Sequence, residues 1–148
     1  MKKRLTALVC ALLMVLSLPG VASAATPRAS YYFSYTDVRA YAKENCEILI
    51  EFDINATHGM LEVGAKRVYI YEQQSDGGYE IVHTFYYTDE GYYDLMMDTN
   101  TAFGAGEVSY YGTPGVNYYA KCALYARDSS GSETMYFNTL IVTCTGTP

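Results

Sequence analysis

The sequence predicts an all-β domain, an antiparallel β-sandwich of about seven strands. In several stretches apolar and polar residues alternate with a period of two, which is typical of strands with one buried and one solvated face. Clusters of Gly, Pro, Asp, Asn and Ser separate these stretches at the spacing expected of a sandwich. The composition agrees, since the 148 residues include 17 Tyr and no Trp, and Tyr suits strands that have one dry and one wet side.

Four strands are predicted over residues 31–87. An early strand is expected over residues 31–41. In residues 46–54 apolar side chains alternate with acidic ones, which predicts a half-buried strand with an acidic outer face. We expect a turn beginning at Asn55 to end this strand. A short strand is predicted over residues 67–71, and after a Gly-rich turn the chain returns as a strand over residues 79–87.

The second half of the chain is less regular at its beginning. Residues 92–97 fit either a short strand or an irregular crossing, and residues 99–106 have the composition of a loop. A short strand is predicted over residues 107–111, followed by a Pro-Gly turn. Residues 118–127 alternate clearly and predict the next strand. A hairpin turn then leads to the last predicted strand, residues 135–142.

The N-terminus has the pattern of a secretory signal peptide. Three basic residues, Lys2 to Arg4, precede a nearly uncharged apolar run over residues 5–18, and Ala22-Ser23-Ala24 forms a small-residue cleavage site. The run is shorter than the roughly 20 residues of a membrane-spanning helix. We therefore predict a signal peptide over residues 1–24 and a single domain over residues 25–148, secreted from a bacterial cell. An uncleaved N-terminal anchor is the alternative.

The charge of the predicted mature chain limits its partners. Three of the ten basic residues lie in the signal segment, which leaves seven against 16 acidic residues, a formal charge of −9. An acidic surface repels phosphate backbones and anionic lipids. We therefore predict no nucleic-acid binding and no membrane insertion after cleavage. An extracellular protein or a glycan is the expected class of partner.

No catalytic apparatus is recognisable in the sequence. His58 and His83 are the only histidines, and no nucleophile elbow accompanies them. Cys122 occupies an inward position of a predicted strand, where burial suppresses the reactive thiolate. The acidic residues of segment 89–98 do not match a calcium loop, and the Cys and His spacings do not match a zinc site. We therefore predict no enzyme, no cofactor and no metal.

The segment from Thr113 to Ala126 resembles a corner found in fibronectin type III and related immunoglobulin-like domains. In that corner a Tyr after a Pro-Gly turn bonds back to the backbone, a role that the resemblance gives to Tyr118. The chain is also similar to a group of short exported proteins of Gram-positive bacteria. That similarity is carried by Phe52-Asp53-Ile54, Met60, Gly64-Ala65, Val68-Tyr69-Ile70-Tyr71-Glu72, Met97, Asn100, Val108, Tyr110, Gly112, Gly115, Tyr118, Ala120 and Ala126. The resemblance implies an immunoglobulin-like or fibronectin type III-like sandwich, and it implies no particular activity.

Three cysteines follow the predicted signal peptide, and export favours one disulfide. In an immunoglobulin-like topology Cys46 and Cys144 lie at the same end of the sandwich, with Cys122 a few residues further in. A Cys46–Cys144 bond is therefore slightly preferred over a Cys46–Cys122 bond. The spacing alone leaves both pairings open.

Tyrosines on one predicted sheet face are the candidate binding residues. If the strands that carry them share a sheet, four tyrosines fall on its outer face beside Lys121 and Arg127; they are Tyr69, Tyr71, Tyr119 and Tyr125. Lys121 is a candidate binding residue together with them. Exposed Tyr gives contact area at low entropic cost, which favours a protein-binding or adhesive module. A carbohydrate-binding module is the alternative, and a secreted hydrolase is a weaker one. Cross-strand pairing that only stabilises the sheet is the purely structural interpretation.

Overall fold

The computed structural model describes residues 30–146, which form an all-β fold of seven antiparallel strands, as predicted. The predicted signal peptide lies outside the described residues. The strands are β1 (Phe33–Ala42), β2 (Glu47–Gln73), β3 (Tyr79–Tyr86), β4 (Met97–Tyr111), β5 (Asn117–Arg127), β6 (Ser132–Asn138) and β7 (Val142–Thr143). A 3₁₀ turn over Glu44–Cys46 precedes β2, and a one-turn helix, α1 (Tyr93–Met96), precedes β4. Among the described residues, no helix has the length and apolar character needed to cross a membrane.

Strand β2 connects the two halves of the sheet. Its first half, residues 47–55, lies between β1 and β4. Its second half, residues 67–73, lies between β3 and β5, and β6 and β7 pair with the far side of β5. All seven strands thus belong to one hydrogen-bonded sheet, which curls so that both halves contribute side chains to a single hydrophobic cluster. The immunoglobulin-like assignment of this topology stays a prediction.

The core follows the alternation seen in the sequence. In the first half of β2, every second side chain is buried, and β5 supplies a second row. These rows are Ile48, Ile50, Phe52 and Ile54 on β2, and Tyr118, Ala120, Cys122 and Leu124 on β5. Burying each large aliphatic or aromatic side chain stabilises the fold by about 1.5–3 kcal/mol. This burial is the main contribution that holds the two halves of the sheet together.

The predicted turn at Asn55 does not exist. The chain continues through this residue, so the separate strands predicted over residues 46–54 and 67–71 are parts of β2. An irregularity in the register between Asn55 and Met60 takes the place of the turn. The intervening apolar residues Ala56 and Met60 are buried, and that burial keeps the segment on the sheet.

The predicted loop over residues 99–106 is also wrong, because this segment is the first part of β4. Two positions of this segment have room only for glycine. A Cβ on Gly106 would lie 2.3 Å from the Phe52 ring, and a Cβ on Gly104 would lie 3.0 Å from the Val63 carbonyl oxygen. Close packing thus excludes from this segment the large apolar residues by which a strand is recognised. The uncertain segment before β4 contains α1 rather than a strand.

The last predicted strand is divided in two. Strand β6 ends at Asn138, and the short β7 begins at Val142. Between them the backbone N–H of Thr139 donates to the carbonyl of Ala120, and the Thr139 hydroxyl accepts from the Ala120 N–H. The Thr139 side chain therefore takes the place of a ladder hydrogen bond at the point where the chain leaves the sheet.

A disulfide joins distant parts of the chain, and a buried tyrosine fixes a corner. Cys46 and Cys144 form a disulfide over a sequence separation of 98 residues, and Cys122 is a buried free thiol. The alternative Cys46–Cys122 pairing is therefore wrong. The Tyr118 hydroxyl accepts a hydrogen bond from the backbone N–H of Thr113 at 2.9 Å, which is the geometry expected of the corner tyrosine.

Candidate functional site

The candidate site lies on the outer face of the half of the sheet made by β3, β2, β5 and β6. Tyr71 is directly opposite Tyr119, and Tyr69 is directly opposite Lys121. Their neighbours Ile70 and Ala120 are buried, so by alternation these side chains point away from the core. Their surroundings complete a surface that we call the tyrosine platform: Arg67, Tyr69, Tyr71, Tyr79, Tyr86, Tyr119, Lys121 and Tyr136.

The rings at the centre of the platform contact one another. Tyr71 and Tyr119 are stacked, with centroids 4.6 Å apart and planes inclined by 4°. Tyr79 meets Tyr119 in an edge-to-face arrangement at 5.1 Å. Aromatic pairs of these kinds contribute about 0.5–1.5 kcal/mol each beyond area burial. Burial, followed by the neighbouring Tyr71 and Tyr79, raises the pKa of Tyr119, so its hydroxyl stays protonated at neutral pH.

Two cations flank these rings. Arg67 donates a hydrogen bond to the Tyr69 hydroxyl at 3.2 Å, and its guanidinium lies 5.6 Å from the centroid of Tyr86. The Lys121 ammonium lies 5.1 Å from the centroid of Tyr136. No platform residue is acidic, although residues 30–146 contain 16 acidic and only six basic residues. The platform is therefore a cationic and aromatic surface on an otherwise acidic domain.

Tyr125 does not belong to this surface, contrary to prediction. Its side chain is on the same side of β5, but it is only 5% exposed. The β2 register shifts between Ala65 and Arg67, and the ammonium of Lys66, in this irregular segment, lies 3.5 Å above the Tyr125 ring. Arg127, next on this face, is paired with Glu62 at 2.9 Å. The extra residue of a bulge thus covers the ring that alternation alone would leave exposed.

Four platform members were absent from the sequence prediction: Arg67, Tyr79, Tyr86 and Tyr136. Each joins the surface through strand register, which the sequence does not contain. Arg67 lies opposite Tyr86 across β2 and β3, and Tyr136 lies opposite Ala123 across β5 and β6. Arg67 and Tyr86 each adjoin a buried residue, which is the local signal of an outward side chain, whereas Tyr79 lies between exposed residues and carries no such signal.

A second polar cluster surrounds His58. His58 Nε2 lies 2.9 Å from Asp128 Oδ2, and the Thr57 hydroxyl lies 2.9 Å from His58 Nδ1. This order of groups resembles a hydrolase triad, but the Thr57 hydroxyl donates to the Tyr31 carbonyl at 2.6 Å. Hydrogen bonds from Ser130, then from His58, lower the pKa of Asp128. The cluster therefore ties β2 to the turn between β5 and β6.

The other titratable candidates differ in burial: His83 is exposed, and Cys122 is buried. His83 contacts Phe85 at 4.4 Å and Tyr110 at 5.8 Å between ring centroids. Burial raises the pKa of Cys122 to about 12, so very little thiolate is present at neutral pH. Within residues 30–146 no group of three or more His, Cys, Asp or Glu is arranged to hold a metal ion.

Comparison with known proteins gives no further constraint on the site. No protein-family model matches the chain, and no curated protein has a similar sequence. The tyrosine platform, with its ring contacts and flanking cations, is therefore the feature from which a function can be inferred.

Proposed function

We propose that this chain is an exported, non-catalytic interaction module that binds an extracellular protein through the tyrosine platform. The observation that carries the proposal is the Tyr71–Tyr119 stack, flanked by Arg67 and Lys121 on a platform that contains no carboxylate. Export is supported by the order of basic, apolar and small residues in the first 24 positions.

The ring geometry favours a protein over a sugar. A carbohydrate-binding surface presents ring faces in one plane or along a groove, so that sugars can stack on them. Here Tyr71 and Tyr119 stack on each other, and Tyr79 also contacts Tyr119. Stacked rings offer their edges and hydroxyl groups, which suit the mixed polar and apolar contacts of a protein interface. A carbohydrate-binding module is the second candidate, supported by the number of rings alone.

The charge of the platform defines the chemistry of the partner. Tyr and Arg, like Trp, are enriched among the dominant contacts of protein interfaces. Arg67 and Lys121 provide donors that match carboxylates, and no acid on the platform competes for them. We therefore expect an acidic patch on the partner. The acidic remainder of the domain disfavours binding in other orientations.

The experiment is a binding screen of the purified chain on arrays of extracellular proteins and of glycans. Tyr119→Ala removes the central ring, and Lys121→Glu reverses a flanking charge. Tyr111→Ala is the matched control, because Tyr111 is 67% exposed on β4, in the other half of the sheet. We expect retention on a protein that weakens by about tenfold or more in the first two variants, a loss of about 1.4 kcal/mol, and persists in the control.

Retention only on glycans, lost in the same variants, would favour the carbohydrate-binding alternative. Absence of retention on both arrays would refute the binding proposal and leave the rings with a structural role. Thermal melting of each variant separates lost binding from lost folding.

A further inference from the structure

Strand β1 leaves one edge of the sheet open. Among the described strands it pairs only with β2, and the register is regular from Tyr35 to Ala42. An edge strand presents a row of backbone N–H and C=O groups that can pair with another strand. Its side chains alternate, so that Thr36, Val38 and Ala40 face the inner side.

The sequence of this edge is complementary to itself. Around Val38 the residues form a symmetric series, Tyr35-Thr36-Asp37-Val38-Arg39-Ala40-Tyr41. We propose that two copies of this chain pair antiparallel through β1, with Val38 opposite Val38 of the second copy. In this register Asp37 meets Arg39 of the second copy, and Tyr35 meets Tyr41. Thr36 meets Ala40 on the inner side.

Such an arrangement gives every outward side chain a complementary cross-strand neighbour. Opposite charges and aromatic pairs that face each other across two strands are the pairs that stabilise a sheet. A two-fold axis repeats each contact, which is the geometry of a closed dimer. Pairing also removes the open edge of β1, which would otherwise favour uncontrolled association.

Within one copy, the acidic residues around Asp37 are only partly compensated by positive charge. Asp37 lies directly opposite Asp53 on β2, an unfavourable like-charge pair. Arg39 is the single base among three acids: it contacts Asp37 at 3.5 Å, Glu51 at 3.7 Å and Asp53. The Arg39 Nε atom is covered but has no hydrogen-bond partner. The proposed register brings Arg39 of the second copy to the free side of Asp37.

A cleft beside the edge is consistent with this occupant. It has a volume of about 470 Å³, runs along residues 37–41 and is bounded on its other side by Asn138 and Leu140. Leu140 is 85% exposed and gives this cleft an apolar wall. A strand added to β1 would cover this cleft.

The first test is a cross-linking experiment. The chain is expressed from Met1 and purified with whatever N-terminal processing the expression host carries out. In the proposed register, residues at position 38 face each other with Cα atoms about 4.5–5.5 Å apart, which suits a disulfide. Position 40 is displaced from its counterpart by about 13 Å. We expect Val38→Cys to form a covalent dimer on mild oxidation at least about tenfold faster than Ala40→Cys, the matched control on the same face.

The second test changes the charges and measures mass by light scattering across a concentration series. Asp37→Arg places two cations opposite each other across the dimer and should abolish it. The same substitution removes the like-charge pair between Asp37 and Asp53, so we expect the variant to fold. The double variant Asp37→Arg, Arg39→Asp restores opposite pairs and should restore the dimer. A wild-type chain that stays monomeric at its highest soluble concentration would overturn the proposal. Equal cross-linking at positions 38 and 40, or an Asp37→Arg dimer of wild-type strength, would also overturn it.

Discussion

The buried hydroxyl of Tyr118 donates a 2.6 Å hydrogen bond to the carboxylate of Glu72. The same oxygen accepts from the backbone N–H of Thr113 at 2.9 Å. One side chain thus joins β5 to β2 and fixes the corner that precedes β5. The residue before this corner is Gly112, where a Cβ would lie 2.8 Å from the Tyr118 ring. The corner therefore requires both the tyrosine and the small residue beside it.

Tyr118→Phe should destabilise the fold. The substitution keeps the ring but leaves the Thr113 N–H and the Glu72 carboxylate without this partner. Loss of a buried hydrogen bond to a charged group costs about 1.5–3 kcal/mol. Urea denaturation should show this decrease in the free energy of unfolding. Tyr111→Phe, at an exposed tyrosine, is the control and should change it by less than about 0.5 kcal/mol.

Alkaline pH should weaken the fold through the buried Tyr118 and the half-buried Tyr110 and Tyr119. Burial, and then the hydrogen bond to Glu72, raise the pKa of Tyr118; burial also raises the pKa of Tyr110 and Tyr119. A raised folded-state pKa means that this stability is complete below the unfolded value of about 10 and is lost as pH rises through the folded value. Urea midpoints should be constant below the unfolded-state value of about 10 and should fall as pH rises above it. Midpoints that stay constant through tyrosinate formation would contradict the prediction.

The free thiol of Cys122 should be unreactive in the folded protein. Burial raises its pKa to about 12, and thiolate is the species that reacts with alkylating reagents. Iodoacetamide at mildly alkaline pH should therefore label Cys122 only after unfolding, as measured by mass spectrometry. Labelling of the native chain at the rate of a free peptide thiol would show that the strand opens at this position. Cys46 and Cys144 should remain unlabelled without a reductant, because they form the disulfide.

Acid should remove the stability that the Asp128 carboxylate contributes through its hydrogen bonds. Its pKa is lowered by the Ser130 hydroxyl and then by His58. A lowered folded-state pKa gives stability that is present above the unfolded value of about 3.9 and is lost as pH falls through the folded value. Asp128→Asn should therefore make the urea midpoint less dependent on pH in the acid range. A variant with the same acid dependence as the wild type would exclude this carboxylate as its source.

The sequence contained much of the core but little of the site. Alternation located the buried rows of β2 and β5, because burial on one face of a strand enforces a period of two. It also placed Tyr71 and Tyr119 on one face, yet their stacking depends on a cross-strand register that no local pattern encodes. Tyr125 was misassigned for a related reason. The irregular register near Lys66 lets that side chain cover the ring.

The sequence of β4 does not resemble that of a strand, because its packing excludes the large apolar residues that mark one. Gly104 and Gly106 face crowded surroundings, where the ring of Phe52 and the backbone of Val63 leave no room for a side chain. Glycines usually indicate loops, so segment 99–106 resembled one. The information that defines β4 therefore lies in its neighbours on β2 rather than in its own sequence.

Gly106→Ala tests this explanation directly. The new Cβ would lie 2.3 Å from both the Phe52 ring and the Leu95 carbonyl oxygen, so the ring or the backbone must move. Overpacking of this kind costs about 1–3 kcal/mol, which urea denaturation would detect. Gly59→Ala is the matched control, since no atom lies within 4 Å of the position that a Cβ would take there. If Gly106→Ala were as stable as Gly59→Ala, close packing could not be the reason for a glycine in β4, and backbone flexibility would have to replace it.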